Sequence, residues 1–278
     1  MQSEKLLDNA LGKIIIAEGL PGSGKSTWLC QKFQEMCRLC PCECYLEETS
    51  QPIDLFRQAI ISKQDIYGAV DTFSQSFPEE KNNLLHWLQK NSYEFDEMMV
   101  VAYLQVANET EAVQLFAAGL RQYDIGDGRS TFDSYVTYHQ VLWRRFASYV
   151  YDPNKVFLSE GSLFQNQLFD LIGFYELDDQ AIFKYYKDLL MTFDARLLRI
   201  ELIDVDDIDM LINHTLATRP GWMNLLNNWF LHAPWARHGH LNGIEGLKAL
   251  YLRLQGIYRT IPHELGLCVH VYPRYFLK

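Results

Sequence analysis

Gly19-Leu20-Pro21-Gly22-Ser23-Gly24-Lys25-Ser26 decides how the rest of the chain is read. The stretch has the form G-x-x-x-x-G-K-S, and its flanks suit it. Ile14-Ile15-Ile16-Ala17 is a β-branched apolar run of the kind that forms a strand buried on both faces. Thr27 to Leu39 reads as a helix with Trp28, Leu29, Phe33 and Met36 as its apolar positions. A glycine-rich turn between strand and helix aims several backbone N–H groups into one concave nest for anionic oxygens. The positive end of the helix strengthens that nest. The expected phosphate-binding set is Gly19, Gly22, Ser23, Gly24, Lys25, Ser26 and Thr27. In it Lys25 reaches the β- and γ-phosphates and the Ser26 hydroxyl ligates Mg²⁺.

The chain has 278 residues, enough for one large α/β domain or a core carrying an insertion. Hydrophobic residues make up 48% and charged residues 22%, a balance that excludes a disordered chain. A formal net charge of −10 argues against general nucleic-acid or anionic-membrane binding. Positive charge must therefore be local, placed where phosphate goes. Met1 to Leu11 lacks the apolar core of a secretory signal. No uncharged apolar run approaches the about 18 residues of a membrane span. These features imply a cytoplasmic protein whose six cysteines are reduced. Four of them crowd into Cys37, Cys40, Cys42 and Cys44. A structural zinc site joins two separated pairs, so this compressed run reads as helix-end and strand thiols instead.

Cys44 to Glu48 reads as a second strand ending in carboxylates, followed by a loop to Pro52. Ile53 to Ile61 looks helical and Asp71 to Pro78 looks loop-like. Met98 to Leu104 is a short apolar run that fits a strand or a buried helix. Thr131 to Tyr149 reads as a long helix bearing Arg144 and Arg145. The whole span of about 52–151 is too long for a simple crossover. It is read as a mostly helical insertion over the nucleotide site, within a single domain 1–278. Val156 to Glu160, Leu197 to Ile203 and Leu267 to Val271 supply three more strands. Strands alternating with helices predict an α/β three-layer sandwich with a five-stranded, mostly parallel sheet.

Ligands of such a sheet gather at the carboxyl ends of its strands. Glu160 ends an apolar strand, the arrangement in which a carboxylate holds Mg²⁺ directly or through water, or acts as a base. Glu47 and Glu48 alternate across their strand, so one alone points inward; Glu48 is the candidate base. Asp54 is positioned to bind substrate. Arg219 follows a strand, Asp204 and a helix, and a movable arginine there supplies charge to a migrating phosphoryl group. Arg144 and Arg145 are candidates for the acceptor pocket. His232, His238 and His240 lack a carboxylate or thiol partner at ligand spacing and read as loop or packing residues.

Together, the Gly19–Ser26 loop, the strand-two carboxylate, Val156-Phe157-Leu158-Ser159-Glu160-Gly161, and Leu202-Ile203-Asp204 with Arg219 resemble the nucleoside and nucleotide kinase branch of P-loop proteins, the thymidylate kinase type included. In deoxynucleoside kinases a Glu-Pro pair closes strand two; here Glu48 matches the glutamate and the proline is displaced to Pro52. Where that branch follows strand three with an acidic-Arg pair, Gly161 stands in place of the arginine. The chain is also similar, over most of its length, to uncharacterised bacterial P-loop NTPase-fold proteins. Those share its Glu-Gly-Leu-Pro-Gly-Ser-Gly-Lys-Ser start, a Glu-Gly-x-Leu-x-Gln-Asn segment at Glu160 to Asn166, and an ending like Leu241 to Gly246. The resemblance implies a P-loop kinase that uses ATP and Mg²⁺ to phosphorylate a small-molecule acceptor. Lys25, Glu160, Glu48 and Arg219 are its catalytic residues, and Ser26 and Glu160 associate with the metal. The alternative is a nucleotide-dependent switch or NTPase whose insertion binds a protein.

Overall fold

A computed structural model of the protein describes residues 13–47, 52–150 and 155–274. The described elements, in chain order, begin with β1 (Ile14–Gly19), α1 (Lys25–Met36), β2 (Cys42–Tyr45), β3 (Ala59–Ser62), α2 (Lys63–Ser76) and α3 (Lys81–Asn91). β4 (Ser92–Phe95), β5 (Met98–Val101), α4 (Glu111–Gly119), α5 (Phe132–Val150), β6 (Val156–Glu160), α6 (Gln165–Gly173) and α7 (Asp179–Leu190) follow. The chain closes with β7 (Leu198–Val205), α8 (Ile208–Thr218), α9 (Trp222–His232), α10 (Pro234–His238), α11 (Gly243–Glu264) and β8 (Cys268–Arg274). They fall into two compact units, Met1–Asp54 with Val136–Lys278, and Leu55–Tyr135.

The first unit is built on a five-stranded, all-parallel sheet in the order β2-β6-β1-β7-β8. Every residue of β1 is buried, which is why its apolar run is unbroken rather than alternating. β1 pairs with β6 from Ile14↔Phe157 to Ala17↔Glu160, and with β7 from Ile14↔Leu198 to Gly19↔Ile203. The chain leaves β1 for the β2–β6 side and leaves β7 for the β8 side. The carboxyl ends of β1 and β7 therefore flank a point where connections diverge, the position at which open α/β sheets form a crevice. α1 covers one face through Leu29, with Ile15, Ala17, Val156 and Leu158 beneath it. α11 buries Leu247, Leu250, Tyr251, Leu254, Ile257, Tyr258 and Ile261, an apolar stripe at helical spacing. Its Tyr251 hydroxyl donates to the Pro21 carbonyl at 3.1 Å, tying the helix to the loop after β1.

The second unit holds a three-stranded antiparallel sheet, order β3-β5-β4, with α2, α3 and α4. Its core joins Ala59, Ile61, Met99 and Val101 of the sheet to Ile66, Val70, Trp87, Leu88 and Phe116 of the helices. Two sequence expectations change here, and one open alternative is settled. The segment expected to be helical at Ile53 to Ile61 contains β3, because the β-branched Ile60 and Ile61 pair with Val100 and Met99. The segment expected as a loop at Asp71 to Pro78 is mostly α2, whose buried Ile66, Val70 and Ser74 recur every four residues. Met98 to Leu104 resolves as a strand, β5, over its first four residues. The boundary also moves inward from 52–151, since α5 belongs to the first unit from Val136 onward.

A buried carboxylate braces the first unit. Glu18 is 0% exposed, and its Oε1 accepts the backbone N–H groups of Leu163 (2.9 Å) and Phe164 (3.0 Å). Its Oε2 accepts the N–H of Gln165 at 3.2 Å. Gln165 opens α6 and Leu163 and Phe164 lead into it, so none of these N–H groups has a partner within the helix. Burial raises the Glu18 pKa from 4.5 to about 7, against the lowering effect of the three N–H groups and Lys25. Because the folded value lies above the unfolded one, the folded chain holds the extra proton. This group's contribution is complete below about pH 4.5 and is lost as pH rises through about 7. Urea unfolding of wild type and Glu18→Gln from pH 5 to 8 should show wild type losing stability relative to the variant as pH rises, by about 3 kcal/mol at most. Parallel pH dependences would contradict this. Glu18→Ala should cost about 1–3 kcal/mol at acidic pH through the orphaned N–H groups.

Candidate functional site

The loop between β1 and α1 forms one wall of a cavity of about 200 Å³ at the carboxyl end of the sheet. Its glycines are required by geometry. Gly22 has φ +84°, and a Cβ there would lie 2.1 Å from the Thr215 hydroxyl of α8. Gly19 has φ +146°, and a Cβ would lie 2.5 Å from the Ile203 carbonyl of β7. The loop thus lies against β7 and α8 with no room for side chains, and its backbone is free to face the cavity. Pro21, Gly22, Gly24, Lys25, Ser26 and Thr27 all line it. The Ser23 hydroxyl is buried without a hydrogen-bond partner among the described residues.

Lys25 is only 3% exposed, and its Nζ donates to the Leu20 carbonyl at 3.2 Å. Burial lowers its pKa, and the nearby carboxylates of Glu47, Glu160 and Glu18 oppose that shift. Glu160 ends β6 and is 3% exposed. Its Oε1 accepts the Ser26 hydroxyl at 2.6 Å, and its Oε2 accepts the Glu47 N–H at 3.4 Å. The register Ala17↔Glu160 brings this carboxylate over the loop.

Glu47 also lines the cavity. Its Oε1 accepts the Gln165 amide at 2.9 Å, and burial raises its pKa, with Lys25 opposing. Glu48, the sequence candidate at this strand end, lies outside the described residues. Since β2 stops at Tyr45, alternation along the strand does not decide which glutamate turns inward. Arg219 follows α8, is exposed, and lines the cavity as expected.

The remaining expected residues lie elsewhere. Asp54 is 2% exposed, and both its oxygens are occupied, by the Asn166 amide at 2.7 Å and the Gln167 amide at 2.9 Å. It does not line the cavity, and neither do Arg144 and Arg145 of α5. Arg144 is exposed and donates to the Gln140 carbonyl of its own helix at 3.3 Å. His232 and His238 are exposed; His238 Nδ1 lies 2.7 Å from Glu176 Oε1.

The sequence reading missed Arg274. It ends β8, lines the cavity, and donates from Nη1 to the Gly22 carbonyl at 2.8 Å. A strand taken to stop at Val271 hides it, whereas β8 pairs with β7 as far as Val205↔Arg274. His214, Thr215 and Thr218, spaced along one side of α8, were missed as well. The cavity thus combines backbone N–H donors and three cationic side chains with two carboxylates. That set can hold a polyanion while presenting acceptors for protons or hard cations. Among the described residues, no three His, Cys, Asp or Glu side chains are grouped to hold a metal by themselves.

No protein-family model, curated protein or solved structure matches the chain.

The fit of the loop against α8 is directly testable. Gly22→Ala should lower stability by about 1–3 kcal/mol through the clash with Thr215 and the strained φ. Among the described residues the Thr215 hydroxyl donates back to the Leu211 carbonyl of its own helix, so Thr215→Ala should be mild. The double variant should recover the steric share and keep the φ penalty. Strict additivity in denaturation midpoints would show that the two residues do not meet.

Proposed function

We propose that the protein is a P-loop phosphotransferase that moves the terminal phosphoryl group of ATP to a small hydroxyl-bearing acceptor. One observation carries this reading: Lys25, Ser26, Glu47, Glu160 and Arg219 line a single cavity, although they come from four separate parts of the chain. Phosphoryl transfer asks a protein mainly for positioning and charge stabilisation, and this is the equipment for both.

The roles divide by surroundings. The loop N–H groups and Lys25 would cradle the phosphate chain. Ser26 and Glu160 place two hard oxygen donors side by side, a set that fits Mg²⁺ taking its other ligands from phosphate and water. Bound there, the ion would neutralise charge on the phosphate oxygens. Glu47 is the better base of the two glutamates at the cavity. Burial raises its affinity for a proton, and Gln165 orients it. Arg219 is exposed, so its side chain is free to swing over the migrating group. Arg274 holds the Gly22 carbonyl away from the anion, leaving N–H groups to face it.

Lys25→Ala should weaken ATP–Mg²⁺ binding at least tenfold, about 1.4 kcal/mol, in a calorimetric titration. Equal affinity in mutant and wild type would overturn the assignment of the loop. Glu47→Gln should leave binding within a few-fold and cut turnover by about 10², the usual weight of a general base. Glu160→Gln should instead raise the Mg²⁺ concentration needed for half-maximal rate. The activity itself is tested with γ-labelled ATP, Mg²⁺ and a panel of nucleosides, sugars and amino-alcohols. A labelled small product is expected. Steady hydrolysis with no labelled acceptor, stimulated by a partner protein, would replace this reading with that of a nucleotide-dependent switch.

A further inference from the structure

α1 ends and β2 begins among thiols that the proposed reaction does not use. Cys37 caps α1 and is exposed, while Cys40 and Cys42 flank Pro41 and are half-buried; all three are free. The Cys40 and Cys42 sulfurs are 3.7 Å apart. This contact is built into the backbone. Cys40 ends the turn after α1 and Cys42 opens β2, with Pro41 alone between them. The ring of Pro41 fixes its own φ, and its carbonyl accepts the Val156 N–H at 3.0 Å, which anchors the segment to β6. The Cys40 N–H is held by the Met36 carbonyl at 3.0 Å. Both sulfurs are thus presented to each other by backbone fastened on either side.

A soft-metal site is the competing use of such a cluster. It needs thiolates, and the surroundings oppose one at Cys42: burial first, then contact with Cys40 and Cys37, pushes the Cys42 thiol up to about 12. Two sulfurs in contact, with the Cys42 thiol held protonated, are instead the reduced half of a disulfide couple.

We propose that Cys40 and Cys42 form a dithiol site for two-electron oxidation, closing a reversible Cys40–Cys42 disulfide by exchange with a small disulfide of the glutathione type. The Cys40 thiolate attacks one sulfur of the small disulfide; that S–S bond breaks and one small thiolate leaves. Cys42, as thiolate, then attacks the Cys40 sulfur of the mixed disulfide, and the second small thiolate leaves. The two thiol protons pass to the two departing thiolates. The protein dithiol is oxidised by two electrons, and the small disulfide is reduced to two thiols. The order follows from the surroundings, since the high proton affinity of Cys42 makes it the poorer initiator. Closure is therefore the slow step, and it accelerates as pH rises.

The test uses the full chain and oxidised glutathione at pH 7, 8 and 9, with acid quench, alkylation of remaining thiols and mass mapping. Trypsin separates Cys37, in Phe33–Arg38, from Cys40, Cys42 and Cys44, in Leu39–Arg57. Wild type should first carry glutathione on Cys40. It should then yield a Leu39–Arg57 peptide two hydrogens lighter, with fragmentation placing the bridge at Cys40–Cys42 and dithiothreitol reversing it. The second phase should quicken about tenfold per pH unit while Cys42 remains protonated. Cys42→Ser should stop at a persistent glutathione adduct on Cys40. Glutathione retained on both Cys40 and Cys42 of wild type without closure, or a bridge that recruits Cys37 or Cys44, would overturn the proposal.

Discussion

Glu18 holds the first unit's site together. Its carboxylate lies at the end of the central strand and accepts three consecutive backbone N–H groups from the turn into α6. Burying a carboxylate is costly, and here the open end of a helix offsets part of the cost with aligned N–H dipoles. The consequence is positional. Gly161, with φ +62°, reverses the chain just after Glu160, and Glu18 fixes where the chain goes next. The Gly161 N–H also donates to the Ala17 carbonyl at 2.9 Å, next to Glu18. One strand end therefore carries both the glycine-rich loop and the brace that sets Glu160 beside Ser26.

Much of this was legible in the sequence, and the parts that were not share a cause. The strand–loop–helix around Gly19–Ser26 announces itself through local geometry, because left-handed backbone needs glycine and a doubly buried strand needs an unbroken apolar run. Glu160 was legible because an apolar run ended in a carboxylate. Glu18 was not: a single acid beside a glycine has no periodicity, and its partners lie some 145 residues away in the chain. Arg274 was hidden for a related reason. β8 continues through polar residues because an edge strand is partly solvated, so hydropathy marks its end too early. The choice between Glu47 and Glu48 depended on where β2 stops, and strand ends are set by the neighbour, here β6, not by the strand's own residues.

The second unit shows the same limit at larger scale. Ile53 to Ile61 carries both helix-like spacing and β-branched residues, and the pairing of β3 with β5 decides between them. Ile53 and Asp54, just before that unit, belong to the first one and are held there by side chains distant in sequence. His139 of α5 lies 3.2 Å from the Ile53 carbonyl, and its other nitrogen meets the Tyr185 hydroxyl. Burial lowers the His139 pKa to about 3, so the ring is neutral and acts as a hydrogen-bonding strut. Asp54 is claimed by Asn166 and Gln167 in the same way. A lone aspartate in a loop looks available for a ligand; in the fold its oxygens are already spent on α6.

The sheet order has one more consequence for the cavity. With all five strands parallel, whatever follows each strand emerges on the same edge, and the order β2-β6-β1-β7-β8 then sorts those groups from side to side. Glu47 follows β2 and Glu160 ends β6, on one side of the loop. Arg219, beyond α8, follows β7, and Arg274 ends β8, on the other. Lys25 stands between, from the helix that β1 feeds. The cavity is therefore polarised by topology: acceptors for protons and hard cations on one flank, guanidinium groups on the other. A chain with the same residues on a differently ordered sheet would mix these charges and let them neutralise one another as ion pairs. Here Arg274 donates to the Gly22 carbonyl on one flank and Glu47 accepts the Gln165 amide on the other, so each flank is fastened by its own neighbours.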